Sequence, residues 1–303
     1  VGICHLKRAC ADLKPVSHQI TESLYSPTGK RVAVIGAGPA GLAAAHDLAC
    51  FGHSVVIFEA KEKPGGMMAY GIPEFRLPRD LLNLEINNIL RLGIALKTGV
   101  SIGTDLSLAE LENQFDAVVA AAGCVRPRKL GIDGETLENV HDGLTFMEMV
   151  NAGQTPFVGK KTLVIGAGFT AVDCARSAVR LGAKQVSIHI RRTVEDMRID
   201  ETEKHEAQFE GIILDSLVQP SAIIGRNNQV MGVAFIRTRM EKSGSPPVRR
   251  PVPIEGSEFL IETDHVIPAI GQTPDVDLLG DDHGLEVSRW NFLNASRAKS
   301  VAR

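Results

Sequence analysis

The chain has 303 residues, with 33 Lys and Arg against 36 Asp and Glu, for a formal net charge of −3. That length suits about two domains with proper cores. Near-balanced charge and only 5% aromatic residues argue against a nucleic-acid or anionic-membrane partner. No apolar run approaches the roughly 18 residues of a membrane helix, and the start lacks the apolar core of a signal peptide. The expectation is a soluble, cytoplasmic protein.

Cysteines Cys4, Cys10, Cys50, Cys124 and Cys174 are scattered, with no C-x-x-C pair. A redox disulfide, a zinc knuckle and a four-cysteine iron–sulfur site are therefore unsupported, and no metal ligand is assigned.

In chain order, residues 1–27 read as a short amphipathic helix around Leu6–Leu13 and then a linker rich in Ser, Thr and Pro. Val32-Ala33-Val34-Ile35 is an apolar run suited to a strand buried on both faces of a parallel sheet. Gly36, Gly38 and Gly41 follow as G-x-G-x-x-G. The first allows a tight turn, the second lets a pyrophosphate approach bare backbone, and the third lets the next helix pack close. Pro39 and Ala40 open that helix, and Gly52 ends it. The next run, Ser54–Phe58, ends in Glu59, 18 residues after Gly41. A carboxylate there accepts hydrogen bonds from a ribose diol, so FAD or NAD fits and NADP does not.

Gly65–Arg79 contains too many Gly and Pro residues for a regular element, yet it holds large apolar side chains. The residues alone leave two readings open: a loop lying against a flat ring, or a surface loop with a buried apolar anchor. Leu81–Leu92 reads as a helix, Ile94–Val100 as a strand, Leu108–Gln114 as a short helix and Ala117–Ala122 as a strand closed by Gly123.

At Lys160 the opening pattern returns, 130 residues on from glycine to glycine. Leu163–Ile165 is the strand, Gly166, Gly168 and Ala171 form the turn as G-x-G-x-x-A, and Gln185–Ile190 is the next strand. Where the first unit has an acid, this one has Arg191-Arg192, the first of them 20 residues after Ala171. Guanidinium forks match the oxygens of a 2′-phosphate, which a carboxylate would repel. The pattern assigns NADP(H) to this unit and FAD to the first.

Asp200–Glu206 is a charged, solvated helix face, so His205 receives no catalytic role. Val218–Val252 reads as short antiparallel strands turning at Arg226-Asn227-Asn228 and at 243–247. The strand from His265 to the turn at Gly271 is expected to return the chain to the first domain.

With these motifs in view, the chain resembles the glutamate synthase small-subunit family of FAD/NADPH oxidoreductases. The same architecture occurs in the amino-terminal part of dihydropyrimidine dehydrogenase and in NADH-dependent ferredoxin:NADP oxidoreductases. The resemblance is borne by VIGAGPAGL, GGMMAYGIPEFRLP, VIGAGFTAVDCAR, HIRR and AIGQTPD, and Tyr70-Gly71-Ile72-Pro73 is its most specific part. It implies an α/β fold in which a Rossmann-like NADP(H) domain, 156–264, is inserted into a Rossmann-like FAD domain, 28–155 and 265–303.

It also implies that the Tyr70 loop lies by the flavin. The implied cofactor-binding set for the FAD domain is Gly36, Gly38, Pro39, Ala40, Gly41, Glu59, Ala60, Gly66, Met67, Tyr70, Gly71, Ile72, Val100, Ala122, Gly123, Ala269 and Gly271. For NADP(H) it is Gly166, Gly168, Phe169, Thr170, Ala171, Asp173, Arg191 and Arg192. The implied reaction passes a hydride from NADPH to FAD and single electrons onward to an iron–sulfur protein or segment. Because the cofactors do that chemistry, no catalytic residue is named. A large amidotransferase subunit is a further partner in the glutamate synthase case. A stand-alone flavin or ferredoxin reductase and a non-catalytic nucleotide-binding subunit are the alternative readings.

Three departures qualify the resemblance. Relatives carry cysteine-rich iron–sulfur segments before a helix like Ile3–Asp12; Phe169 stands where they usually have Asn; and Gly280-Asp281 matches their flavin-contacting Gly-Asp pair only in letters. Weak flavin affinity is expected from the last of these.

Overall fold

A computed structural model describes residues 2–13, 20, 22–243, 248–280, 286–288 and 292. In chain order the elements begin α1 (Ile3–Asp12), β1 (Arg31–Ile35), α2 (Pro39–Cys50), β2 (Ser54–Glu59), α3 (Met67–Tyr70), α4 (Arg79–Leu90), β3 (Ala95–Thr98), α5 (Leu108–Gln114) and β4 (Ala117–Ala120). They continue with β5 (Arg126–Pro127), α6 (Gly143–Asn151), β6 (Lys161–Ile165), α7 (Phe169–Arg180), β7 (Gln185–Ile190), α8 (Glu201–Phe209) and β8 (Ile213–Ser216). Then come β9 (Val218–Arg226), β10 (Gln229–Ser243), β11 (Val248–Glu262), β12 (His265–Pro268) and β13 (Gln272–Thr273). Two compact units result: one from residues up to Gly66, Pro78–Gly123 and the turn at 276–280, the other from Met67–Leu77 and Cys124–Asp275.

The first unit is built on a parallel sheet in the order β3-β2-β1-β4. Ile35 pairs with Phe58 on one side and Ala120 on the other, so the chain reverses its winding at the end of β1. All four residues from Val32 to Ile35 are buried, as a strand covered on both faces requires. On one face Ala33, Ile35 and Phe58 pack with Ile102, Leu111 and Phe115. A capping box starts α5: Ser107 Oγ accepts from the Glu110 N–H at 3.2 Å, and the Glu110 carboxylate accepts from the Ser107 N–H at 2.8 Å.

The second unit repeats the plan, with a parallel sheet in the order β12-β6-β7-β8 and Ile165 between His189 and Pro268. Alternation along β6 and β7 sends Val164, Ile188 and Ile190 into a core with α6 and α7. Leu163 and Ile165 face the other way, into a core with Val233 and Phe235 of a three-stranded antiparallel sheet, β11-β10-β9. The β9–β10 hairpin turns at Asn227 and Asn228, whose φ values of 52° and 64° are tolerated by Asn at low cost. The strands of that sheet run longer than expected, up to 15 residues.

The structure groups three stretches differently from the sequence reading. β12 lies parallel beside β6, with Val266 opposite Leu163 and all four residues buried. Pairing there buries Ile267 in the core with α6 and α7, and Val266 in the core with the antiparallel sheet; the chain groups with the first unit only from Val276. Residues 124–155 also belong to the second unit, since α6 packs on α7. The 67–77 stretch likewise counts with the second unit, and it contains the one-turn helix α3. Asp281, half of the Gly-Asp pair, lies outside the described residues, as does the side chain of Cys4. Among the described residues, no helix is long and apolar enough to cross a membrane.

Two histidines are buried in the second unit. His265 has its Nε2 3.0 Å from His141 Nδ1, with the rings of Phe146 and Phe157 centred 5.7 and 6.3 Å away. Burial, and then the neighbouring His141, push the His265 pKa from 6.5 down to about 3. Burial also lowers that of His189, to about 4. The unfolded chain then binds more protons than the folded one below about pH 6.5. This stability is present above that pH and drains away as pH falls toward 3. The urea midpoint should therefore drop between pH 7 and pH 4.5 with a slope that His265→Gln reduces. Equal slopes for the two proteins would exclude His265 as a source.

Candidate nucleotide-binding sites

The first glycine turn is shaped by backbone crowding. A Cβ on Gly36, where φ is 98°, would lie 2.6 Å from the Ala121 carbonyl oxygen, and one on Gly41 would lie 1.9 Å from that of Gly36. Neither position tolerates a side chain. A Cβ on Gly38 would meet nothing nearer than the Gly66 Cα at 3.9 Å, so this glycine faces open space. That is the cradle an approaching pyrophosphate needs. Pro39 and Ala40 form the exposed first turn of α2, after Gly38. Gly66 presses on the same turn: its φ is 53°, a Cβ on it would strike Gly38 Cα at 2.7 Å, and Gly65 N–H donates to the Ala37 carbonyl at 2.8 Å.

Glu59 stands at the end of β2, only 8% exposed. One carboxylate oxygen accepts from the Ala37 N–H at 2.8 Å and the other from the Lys61 N–H at 2.9 Å. An ionised carboxylate offers about four lone-pair sites. Two are used on backbone, leaving acceptor capacity for a diol. Ala60 follows Glu59, the Val100 N–H donates to the Glu59 carbonyl at 3.0 Å, and Ala122 and Gly123 (φ 72°) follow β4.

The second turn repeats this geometry. A Cβ on Gly166 would lie 2.4 Å from the Ala269 carbonyl oxygen, while one on Gly168 would meet nothing within 4 Å. Ala171 is fully buried at the third position, Thr170 is half-buried, and Phe169 opens α7 half exposed. Ala269 and Gly271 (φ 104°) belong to this unit, the former donating its N–H to Ile165 at 2.8 Å and the latter accepting from Arg128 N–H at 3.0 Å.

Strand register locates the arginines. The Gly36 N–H bonds the Phe58 carbonyl at 2.8 Å, and the Gly166 N–H bonds that of His189 at 3.2 Å. Ile190 is therefore the counterpart of Glu59, and Arg191 and Arg192 are the next two residues. Their carbonyls are held by the Thr238 hydroxyl at 2.8 Å and the Leu217 N–H at 3.0 Å. Neither guanidinium has a hydrogen-bond or ion-pair partner among the described residues.

Asp173 is paired within the protein. It lies one turn inside α7, 6% exposed, and its carboxylate accepts from Arg76. Burial pushes its pKa up, an effect that Arg76 opposes. The fork of Arg76 also grips Glu203 of α8. Asn151 Nδ2 donates to the carbonyls of Tyr70 at 2.8 Å and Ile72 at 3.2 Å, while Gly71 and Ile72 both donate to Met67. Arg76 and Asn151 were absent from the sequence-based set. The only signal for either was the place of Arg76 within the family-specific EFRLP stretch.

Two parallel sheets, each ending at its winding reversal in a glycine cradle, define an α/β protein with two dinucleotide sites. Residues 30–298 match the model of the pyridine nucleotide-disulphide oxidoreductase family, and the chain belongs to that family. It is 38% identical over 300 residues to the NADPH-Fe(3+) oxidoreductase subunit beta of Geobacter sulfurreducens, covering 97% of this chain and 45% of that one. It is 40% identical over 276 residues to the NADP(+)-dependent formate dehydrogenase subunit beta of Moorella thermoacetica, covering 90% and 39%. It is 36% identical over 259 residues to the NADPH glutamate synthase small chain of Escherichia coli K12, covering 82% and 55%. The chain thus spans about half the length of the curated relatives it matches.

Among solved structures, Mycobacterium tuberculosis FprA in complex with NADPH shares the fold at a TM-score of 0.68 and 19% identity, covering 86% of this chain and 73% of that one. T. acidophilum thioredoxin reductase does so at 0.64 and 20%, covering 87% and 84%.

Glu59 should prove structural even without a ligand. Glu59→Ala orphans the buried Ala37 N–H, at a cost on the order of 1–3 kcal/mol, and the part-buried Lys61 N–H, which water can reach, at a smaller one. Chemical unfolding of the nucleotide-free protein should register that loss; a change of only a few tenths would show that water satisfies both groups.

Proposed function

We propose that the chain is the FAD- and NADP(H)-binding module of a larger electron-transfer oxidoreductase of the glutamate synthase small-subunit kind. The carrying observation is that the second strand of the first unit ends in Glu59, whereas the corresponding strand of the second unit, ending at Ile190, is followed at once by Arg191-Arg192. In this reading the Gly36–Gly41 turn takes FAD, with Glu59 on the ribose, and the Gly166–Ala171 turn takes NADP(H), with both arginines on the 2′-phosphate. When bound, the nicotinamide and flavin supply hydride exchange with each other and single-electron delivery to an iron–sulfur acceptor.

The protein's part is binding and alignment. Gly38 and Gly168 leave room for phosphate oxygens at the N-termini of α2 and α7, where orphan N–H groups and the helix dipole favour anions. Arg191 and Arg192 supply forked donors that a 2′-hydroxyl cannot fully use, which sets the preference for the phosphorylated nucleotide. Gly66, Met67, Tyr70, Gly71 and Ile72 are assigned to the flavin on the strength of the family resemblance. No side chain is asked to move a proton.

An iron–sulfur partner or segment is the acceptor in this reading. Support comes from relatives described as beta subunits or small chains of larger oxidoreductases. A large amidotransferase subunit joins only if the complex is a glutamate synthase. We place the reaction in the cytoplasm, in keeping with the unpaired thiols of Cys10, Cys50, Cys124 and Cys174.

The test is the visible absorbance of the purified protein incubated with FAD, before and after anaerobic NADPH. A flavin spectrum that bleaches is expected. Arg191→Ala with Arg192→Ala should weaken NADPH binding on the order of 10- to 100-fold while changing NADH binding less than about threefold. Equal affinity for NADPH and NADH in the unmutated protein would sink the arginine assignment, and a protein that stays colourless would sink the flavin half.

A further inference from the structure

The segment Met67–Leu77 is fastened to the second unit at both ends. Near its start, Asn151 of α6 holds the Tyr70 and Ile72 carbonyls. Near its end, the Phe75 ring lies under the guanidinium groups of Arg176 and Arg180 of α7, 5.1 and 4.1 Å from the ring centre. Beside it the Arg76 fork bridges Asp173 of α7 and Glu203 of α8. Glu203 also faces Arg176 at 3.5 Å, and Arg176 reaches Glu206 and Glu210 at 2.7 Å each.

The planar fork suits this bridge: Nε of Arg76 donates to Asp173 while both terminal nitrogens donate to the two oxygens of Glu203. The side chains of Arg76 and Asp173 are 19% and 9% exposed, so water screens their attraction little, and loss of either partner strands a buried charge. Asp173 stands five residues beyond Gly168, the residue that opens α7 at the second glycine turn. One rigid helix thus connects that turn to Arg76.

We propose that Arg76 is a positioning residue: through Asp173 it ties the flavin-assigned segment to the helix that carries the NADP(H) turn, so that filling the turn orders the segment. The proposal rests on the cofactor assignments given above.

Hydrogen exchange of the whole chain, with and without saturating NADP+, tests it. NADP+ should slow amide exchange across 67–77 by about threefold or more in the unmutated protein. That protection should vanish in Arg76→Ala and in Asp173→Asn, the latter keeping the shape of the site if the former fails to fold. In the flavin-loaded protein, Arg76→Ala should lower the limiting rate of flavin bleaching on the order of tenfold. The NADPH dissociation constant should change less than about threefold. Arg76→Lys, keeping charge without the fork, should recover only part of the rate.

No protection by NADP+ in the unmutated protein, protection that persists in either variant, or an unchanged bleaching rate overturns the proposal. Titration of NADP+ into the unmutated protein, done first, reads the cofactor assignment separately. If NADP+ does not bind, that assignment has failed, whereas normal binding with unaltered exchange sinks only the role of Arg76.

Discussion

Both halves of this molecule depend on one close approach: a glycine leaving its strand beneath the carbonyl of the residue that follows the neighbouring strand. Gly36 meets Ala121 in this way, and Gly166 meets Ala269. No side chain fits between, so the chain must bend there, and the bend aims the next helix with its N-terminus over the end of the sheet. Because the strands on either side are wound in opposite directions, the same bend opens a crevice at the carboxyl ends. The second glycine of each turn then faces that crevice rather than protein. Packing forces the first glycine; space for a ligand explains the second.

On this shared frame the two units differ at the end of the second strand, with Glu59 closing it in the first and Arg191 and Arg192 following Ile190 in the second. Glu59 is tied down by two backbone N–H groups, so its carboxylate is preorganised at no further entropic cost when a ligand arrives. Arg191 and Arg192 are fixed through their carbonyls instead, leaving the guanidinium groups to reach outward. In the function proposed above, a rigid acid suits a short-range contact with a diol, and guanidinium groups with no hydrogen bond or ion pair among the described residues suit a phosphate.

Much of this was legible in the sequence because the constraints are local. Strand, glycine spacing, helix and charged tip follow one another within about 30 residues, and α5 and β7 fall at their expected bounds. What could not be read is what long-range packing decides. The apolar run His265–Pro268 has the composition of a buried strand for any sheet, and its place beside β6 goes with the packing of Ile267 and Val266 in the two cores of that unit. Asp173 sits in the phosphate-turn motif, yet its carboxylate turns to Arg76, 97 residues away in sequence. Gly66 read as part of an irregular Gly- and Pro-rich stretch, and its contact with Gly38 gives it a fixed steric role.

The Phe75-Arg76 pair shows the same long-range packing at work. The segment makes its own hydrogen bonds at Met67 and Pro73, and its side chains add partners outside it. The Phe75 ring lies under Arg176 and Arg180, and the Arg76 fork reaches Asp173 and Glu203. The carboxylates of Asp173, Glu203, Glu206 and Glu210 surround Arg76, Arg176 and Arg180, so the cluster nearly balances its charge while partly shielded from water. Such a cluster is specific in geometry more than strong in net energy, since desolvation offsets much of the attraction. A device of that kind fixes where a segment sits without adding greatly to global stability. That is the property the positioning role proposed for Arg76 requires.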